Sequence, residues 1–174
     1  MVYFGDDDNT YDYRLFHEFC SVDAGKEDVG FVPVGFIKTD GWDDKVENGV
    51  QVSHTAKHGS IIECESRRVV HFHPNFVSSR TFAVDFAAIS FTVKSLLNSN
   101  RIKSVFFDRT ISEGMSETEF VCRLLNLEIG ESCDHGGFET VPLETKNKIV
   151  GLANDCRDIF VWHTKTVYPG FSSV

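Results

Sequence analysis

Two histidines separated by a single residue are the side chains of this sequence best placed to do chemistry. His71 and His73 flank Phe72 at the end of Arg67 to His73, a segment with the composition of a β-strand. Residues two apart in a strand point to the same side of the sheet, so two imidazoles placed in this way can share one metal ion. The pair therefore supports one hypothesis for the whole protein, a small zinc-dependent hydrolase.

The triplet His71-Phe72-His73 resembles the His-Phe-His of the α-type carbonic anhydrases, over three of 174 residues. A zinc site needs at least a third ligand. The candidates for that third ligand are His54, His58, His135 and His163. Pro74 marks the end or the edge of the strand, and two histidines on a half-exposed strand face are the alternative explanation. The leading prediction is that the protein holds no metal and no other cofactor.

Two further groups of reactive side chains are weaker candidates. Asp108 follows an apolar run and resembles the nucleophile of the haloacid dehalogenase phosphatases, although Thr110 replaces the second aspartate of that motif. Cys133 and His135 could form a thiol and its base, but they precede a Gly-Gly turn. Phosphate-loop, GxGxxG, GxSxG and HExxH sequences do not occur. These observations favour a protein without enzymatic activity.

The first twenty residues combine aromatic and acidic side chains. The residues predicted to bind a partner are Tyr3, Phe4, Asp6, Asp7, Asp8, Tyr11, Asp12 and Tyr13. Aromatic rings supply contact area at protein interfaces, and carboxylates supply orientation. The alternative is that the rings pack beneath their own domain.

The charge distribution supports the idea of a partner. The net charge is −9, and residues 1–50 hold 12 acidic and 4 basic side chains, against 14 and 13 in the remainder. An acidic surface repels phosphate backbones, so direct nucleic-acid binding is not expected. The expected partner is another protein with a basic surface.

Length and composition predict one domain over residues 1–174, with the acidic aromatic segment at about residues 1–20. There is no apolar run long enough for a membrane span and no basic-then-apolar signal at the start. The five cysteines are odd in number and lack CxxC spacing, which predicts free thiols. We therefore expect a cytoplasmic protein that does not bind membranes.

The elements that would position these residues follow from hydrophobic spacing and turn signals. The first half predicts a short helix near Tyr11 to Cys20 and an antiparallel meander. The predicted strands of this meander are Gly30 to Lys38, Gly49 to Thr55, Ser60 to Glu65 and Arg67 to His73. A longer helix is then predicted from a stripe with spacings of four, three, four and four, formed by Phe82, Phe86, Ile89, Val93 and Leu97.

The remaining sequence alternates strands and helices, which indicates crossover connections and parallel pairing. The predicted elements are strands at Ile102 to Phe107 and Ile159 to Thr166, and helices starting at Ser116 and running from Pro142 to about Asp155. The predicted fold is α+β, with an N-terminal antiparallel meander, a partly parallel C-terminal part of the same mixed sheet, and three to four helices packed on it.

A resemblance completes the functional hypothesis. The abundance of Val and Phe, the scattered cysteines, and the segments SVFFDRT and DIFVWHTKTVYPG resemble accessory proteins of positive-strand RNA viruses, coronaviruses in particular. The resemblance implies a non-enzymatic module in the host cytoplasm that occupies a basic surface of a host factor in translation control or innate immunity. The zinc-dependent hydrolase centred on His71 and His73 is the alternative.

Overall fold

A computed structural model describes residues 1–7, 9–37, 46–47, 50–51, 61–73, 80–99, 111, 115–127, 133 and 136–164. The strands in these ranges are β1 (Val2–Tyr3), β2 (Asn9–Tyr11), β3 (Val29–Phe31), β4 (Val34–Ile37), β5 (Val46–Glu47), β6 (Val50–Gln51), β7 (Ile61–Glu65), β8 (Arg68–His73), β9 (Ile89–Phe91), β10 (Ile149–Gly151) and β11 (Val161–Thr164). The helices are α1 (Arg14–Cys20), α2 (Val93–Asn98), α3 (Ser116–Leu124), α4 (Leu143–Lys146) and α5 (Ala153–Cys156).

Two mixed sheets confirm the predicted α+β class. One has the strand order β1-β9-β3-β10, in which β9 is antiparallel to both neighbours and β10 is parallel to β3. The other has the order β2-β11-β4, in which β11 is antiparallel to β2 and parallel to β4. The early strands form a meander only in the hairpins β5-β6 and β7-β8, because β3 and β4 pair with strands from later in the chain.

The long helix predicted over Phe82 to Leu97 is wrong. Asp85 is extended and caps a 3-10 turn at Phe86–Ala88, and the chain then forms strand β9. All three residues of β9 are buried between β1 and β3, so strand pairing overrides the helical spacing of the apolar residues. Thr92 then accepts a hydrogen bond from the Ser95 N–H at 3.0 Å and begins α2.

The helix predicted from Pro142 to Asp155 is also wrong. It is replaced by α4, the parallel strand β10 and the turn α5. All four residues of α5, from Ala153 to Cys156, have φ values between 54° and 60°. The left-handed conformation is costly for residues other than glycine, and it is held here by the Glu18 carboxylate, which accepts from the Ala153 N–H at 2.7 Å.

The helix predicted at Ser116 is confirmed as α3. Glu119, which the capping-box pattern assigns to the helix start, instead binds Arg123 one turn further along, with 2.7 Å between Oε1 and Nη2. Both side chains are buried. The pattern therefore predicts the helix correctly but assigns the wrong role to its glutamate.

Phenylalanine rings fill much of the core, which accounts for the high content of this residue. Phe31 stacks on Phe82 with ring centroids 6.0 Å apart. Phe72 meets Phe138 edge to face at 4.9 Å and Phe82 at 5.8 Å. These contacts join strands β3 and β8 to the segments around residues 82 and 138. Of the helices that the structure describes, none has the length and apolar character that crossing a bilayer requires.

The prediction of five free thiols is wrong. Cys64 is joined to Cys156 and Cys122 to Cys133, with Cα atoms 5.7 and 6.1 Å apart, and Cys20 is free and exposed. Spacing along the sequence misled the prediction because the first pair is 92 residues apart and meets only through the fold. Disulfides are typical of oxidising compartments, so the pairing removes the basis on which a reducing, cytoplasmic location is predicted.

Candidate active site

An acidic loop follows strand β1 and is closed by a tyrosine hydroxyl. The chain leaves β1 at Phe4, presents Asp6 and Asp7 to solvent and returns as β2. The Tyr11 hydroxyl accepts a hydrogen bond from the Asp6 N–H and donates one to the Asp6 carbonyl at 2.9 Å. One side chain therefore satisfies both backbone groups of Asp6 and fixes the loop that carries the carboxylates.

The ring of Phe4 connects this loop to two other parts of the chain. Its centroid lies 5.4 Å from those of Phe86 and Phe91 and 5.2 Å from that of Phe120 in α3. A cavity of about 230 Å³ opens beside it, lined by Phe4, Gly5, Asp6 and Phe86. The loop and the turn after Asp85 thus meet at one cavity, and helix α3 contacts two of its lining rings, Phe4 and Phe86, through Phe120.

Asp85 contributes a second carboxylate near the acidic loop. Its Oδ1 accepts from the Ala87 N–H at 2.8 Å and caps the 3-10 turn. Burial raises the pKa of Tyr3, and the nearby Tyr11, Asp85 and Asp6 add to this effect. Burial also raises the pKa of Tyr11, with smaller upward contributions from Asp6 and Asp85. Because both carboxylates act on the same two tyrosines, they belong to one acidic region.

Glu117, the second residue of α3, is the third carboxylate of this region. Burial raises its pKa and outweighs the lowering effects of its own backbone N–H and of the Arg80 guanidinium, while Asp85 raises it further. Arg80 Nη1 lies 3.6 Å from Glu117 Oε2. This oxygen is buried and accepts no hydrogen bond from any residue in the described ranges. A half-buried carboxylate with a raised pKa is a candidate proton acceptor.

The structure divides the residues predicted to bind a partner between the interior and the surface. Tyr3 is half-buried and donates to the Ala87 carbonyl at 2.7 Å, and Phe4 packs against the core. Tyr13 is 73% exposed. The alternative explanation, in which the rings pack beneath their own domain, therefore describes Tyr3 and Phe4.

The acidic members of that set also differ from one another. Asp12 is paired with Arg14 through two hydrogen bonds of 3.0 and 2.7 Å, and these bonds lower its pKa to about 2. Asp6 and Asp7 lie on the loop at the cavity, and Asp8 is outside the described residues. Of the described carboxylates in this set, Asp12 is therefore paired with a cation, whereas Asp6 and Asp7 are exposed to solvent.

The histidine pair lies on the β7-β8 hairpin. His71 Nδ1 is 3.2 Å from Glu139 Oε1, and His73 Nε2 is 2.7 Å from Glu63 Oε1. Among the described residues, no group of three or more histidine, cysteine or acidic side chains is arranged to hold a metal ion. His163 belongs to β11, whereas His54, His58, His135 and Asp108 fall outside the described residues.

Sequence reasoning missed Asp85, Glu117 and Phe86. Asp85 and Phe86 lie within the apolar stripe that predicts a helix, so the sequence gives them only a structural role. At the start of α3 the capping-box pattern indicates Glu119 rather than Glu117. One usable signal was present, since Asp85 is the only charged residue between Thr81 and Thr92. An isolated carboxylate in an apolar segment calls for an explanation.

Exposed carboxylates on a fixed loop at a cavity, with a half-buried carboxylate of raised pKa in the same acidic region, are typical of an enzyme that acts on polar substrates. The chain belongs to glycosyltransferase family 43, whose model matches residues 1–136.

Three relatives are similar over almost the whole chain. The galactosylgalactosylxylosylprotein 3-beta-glucuronosyltransferase sqv-8 of Caenorhabditis elegans is 31% identical over 173 residues, 99% of this chain and 37% of the relative. The Drosophila melanogaster enzyme I of the same name is 25% identical over 95% of this chain and 42% of its own length. The human galactosylgalactosylxylosylprotein 3-beta-glucuronosyltransferase 2 is 28% identical over 95% of this chain and 38% of its own length. The chain thus spans about two fifths of the length of these relatives.

This family membership overturns the functional prediction. The protein is not a viral accessory protein, and the predictions of a non-enzymatic module on a host factor and of a hydrolase centred on His71 and His73 are wrong. The resemblance was compositional, and the phenylalanines responsible for it are largely residues of the core. The missing catalytic motifs were equally misleading, because the site is assembled from three separate segments.

Proposed function

We propose that the protein transfers a glucuronosyl group, in 3-β linkage, to a galactosylgalactosylxylosyl-protein. The similarity to relatives with that printed activity, over at least 95% of the chain, supports this proposal. The observation that carries it is the half-buried Glu117 carboxylate, whose Oε2 is buried and whose pKa is raised by burial and by Asp85 of the same acidic region. A transferase that uses a sugar hydroxyl as acceptor needs a group to take the hydroxyl proton, and Glu117 supplies one.

The chemistry follows from this assignment. The donor is an activated glucuronate, a nucleoside diphosphate sugar, because a diphosphate is a good leaving group. Glu117 takes the proton of the acceptor hydroxyl while the oxygen of that hydroxyl forms a bond to the anomeric carbon of the glucuronosyl group. The bond from that carbon to the phosphate oxygen breaks, and its electron pair leaves with the nucleoside diphosphate. The proton on Glu117 then passes to solvent.

The acidic loop requires a cation if it is to face a diphosphate. Asp6 and Asp7 repel an anionic leaving group, whereas a divalent cation between them and the phosphates reverses that effect. Their exposed carboxylate oxygens are the hard ligands that Mg²⁺ or Mn²⁺ prefers. Asp6 and Asp7, with Asp8 next in the sequence, would hold the ion. When bound, it would stabilise negative charge on the departing diphosphate.

The direct test is product formation by the purified protein. It is incubated with a nucleoside diphosphate glucuronate, a divalent cation and a synthetic galactosylgalactosylxyloside, and the products are analysed by mass spectrometry. We expect a product heavier by one glucuronosyl residue, dependent on the terminal galactose. The matched control replaces the donor by the corresponding glucose derivative. Equal transfer of glucose, or no transfer from any donor at any cation concentration, would refute the proposal.

A further inference from the structure

Phe86 forms one wall of the cavity and is held there by its neighbours. Its ring meets Phe4 at 5.4 Å and Phe120 at 5.8 Å, at interplanar angles of 76° and 66°. The ring is only half-buried, whereas Phe91 and Phe120 are almost fully buried. A large apolar side chain that is fixed but still accessible in a cavity is available to a ligand.

The backbone beneath Phe86 is also fixed. The preceding residue, Asp85, caps the turn through the Ala87 N–H, and the Ala87 carbonyl accepts a hydrogen bond from the Tyr3 hydroxyl at 2.7 Å. Ala87 and Ala88 are fully buried. The orientation of Phe86 is therefore set by strand β1, the turn and α3 together, which is the preorganisation that a recognition residue needs.

The position of Phe86 relative to Glu117 indicates which substrate it faces. Phe120, which contacts the Phe86 ring, lies one turn along α3 from Glu117. Under the proposed function, the acceptor sugar lies at Glu117 and the donor diphosphate lies at Asp6. The cavity, which Asp6 and Phe86 line, is therefore placed where donor and acceptor meet. At about 230 Å³ it is smaller than the roughly 300–1,000 Å³ of sites that enclose drug-sized ligands. A single sugar ring fits it better than a whole disaccharide.

We propose that Phe86 is a specificity-determining residue, whose ring packs against the apolar face of the terminal galactosyl unit of the acceptor. This inference rests on the proposed function. In galactose the hydrogens on C3, C4 and C5 share one face and form a continuous apolar patch, whereas in glucose the C4 hydrogen lies on the opposite face. An aromatic ring packs on the galactose patch while the hydroxyl groups reach the carboxylates around the cavity.

The packing of the Phe86 ring on the galactosyl unit is called the platform below. Steady-state kinetics of Phe86→Leu and Phe86→Tyr test it. Leucine keeps an apolar side chain but removes the flat ring, so the KM for a galactose-terminated acceptor should rise about tenfold, the effect of losing one aromatic packing contact. The KM for the donor should rise less than the KM for the acceptor, because the cation at Asp6 and Asp7, rather than the ring, would hold the donor diphosphate. Phe86→Tyr keeps the ring and should retain wild-type acceptor KM.

Phe91→Leu is the matched control. Phe91 also touches Phe4, at 5.4 Å, but it is buried and does not line the cavity. This change should lower the unfolding temperature and leave the acceptor KM unchanged. An unaltered acceptor KM in Phe86→Leu, or an equal rise in the donor KM, would overturn the proposal.

Direct binding separates failure of the platform from failure of the proposed function. If the wild-type protein transfers no glucuronosyl group, the proposed function fails, but saturation-transfer NMR with methyl β-galactoside still tests Phe86. Magnetisation reaching C3, C4 and C5 protons in the wild type and lost in Phe86→Leu supports the platform. Equal transfer in both proteins, or none at saturating galactoside, contradicts it.

Discussion

Two regions of this molecule gather carboxylates, and they differ in what faces them. At the β7-β8 hairpin, Glu63 of β7 and Glu139 of the turn Phe138–Thr140 are 58% and 67% exposed, and each lies against an imidazole of β8. In the acidic region, the Glu117 side chain is only 22% exposed, burial and Asp85 raise its pKa, and its Oε2 accepts no hydrogen bond within the described part of the chain. The carboxylates at the hairpin are solvated and paired with imidazoles, so they are not expected to act as bases. Glu117 has a raised pKa and can accept a proton from a substrate.

The largest expected difference between the two regions is catalytic. Glu117→Gln removes the proton acceptor and should lower kcat by about 10²- to 10⁴-fold. Glu139→Gln is the matched change on the hairpin side and should leave kcat within about twofold. Turnover of the glucuronosyl donor with both variants at equal folded concentration measures the difference, and equal losses would show that Glu117 is not the base.

The next effect concerns stability rather than catalysis. The disulfide between Cys64 and Cys156 ties β7 to the turn α5 across 92 residues. Replacing both cysteines by serine should lower the free energy of unfolding by about 2–4 kcal/mol, because a long loop is released in the unfolded chain. Denaturant titration measures this, and the KM values of the folded variant should match the wild type. A variant of unchanged stability would contradict the expectation.

A smaller effect is expected from the hydroxyl that closes the acidic loop. Tyr11→Phe removes the hydrogen bonds to both backbone groups of Asp6 and should weaken binding of a divalent cation with the nucleotide about fivefold, corresponding to ~1 kcal/mol. Tyr3→Phe is the control, since that hydroxyl binds Ala87 rather than the loop. Calorimetric titration of Tyr11→Phe and Tyr3→Phe with Mn²⁺ and nucleotide measures the difference. Equal Mn²⁺ affinities in the two variants would contradict the role given to Tyr11.

The smallest effect is expected at the histidine pair. Both imidazoles are 41% exposed and their partners more so, so His71→Asn and His73→Asn should each change the free energy of unfolding by less than about 1 kcal/mol. Transferase activity should stay within about twofold. A large loss of activity in either variant would mean that the hairpin takes part in the reaction. It would contradict the assignment of catalysis to the Glu117 region alone.

The sequence predicts elements better than it predicts which of them meet. Helices α1 and α3 and the hairpin β7-β8 follow from local spacing and turn signals, and the structure contains them. The stripe from Phe82 to Leu97 fails because β9 pairs with β1 and β3, and both partners are remote in the sequence. The disulfide between Cys64 and Cys156 was unpredictable for the same reason.

The site shows the same limit more strongly. The sequence singled out Asp6 and Asp7 as residues that bind a protein partner, whereas the proposed function gives them a divalent cation. The type of residue at Glu117 gives no hint of its role, since only its partial burial and the nearby Asp85, which raise its pKa, make it a candidate base. The reverse holds for His71 and His73, which stand out in the sequence but lie on an exposed hairpin with carboxylate partners.

The pH dependence of kcat/KM tests the role of Glu117 most directly. A base must be deprotonated, so activity should fall as pH falls through the pKa of Glu117, which burial raises above its ordinary 4.5. Arg80 lowers that pKa, and Arg80→Gln should therefore move the acid limb to higher pH. An acid limb at or below 4.5, or one that Arg80→Gln leaves in place, would contradict the assignment of Glu117 as the proton acceptor.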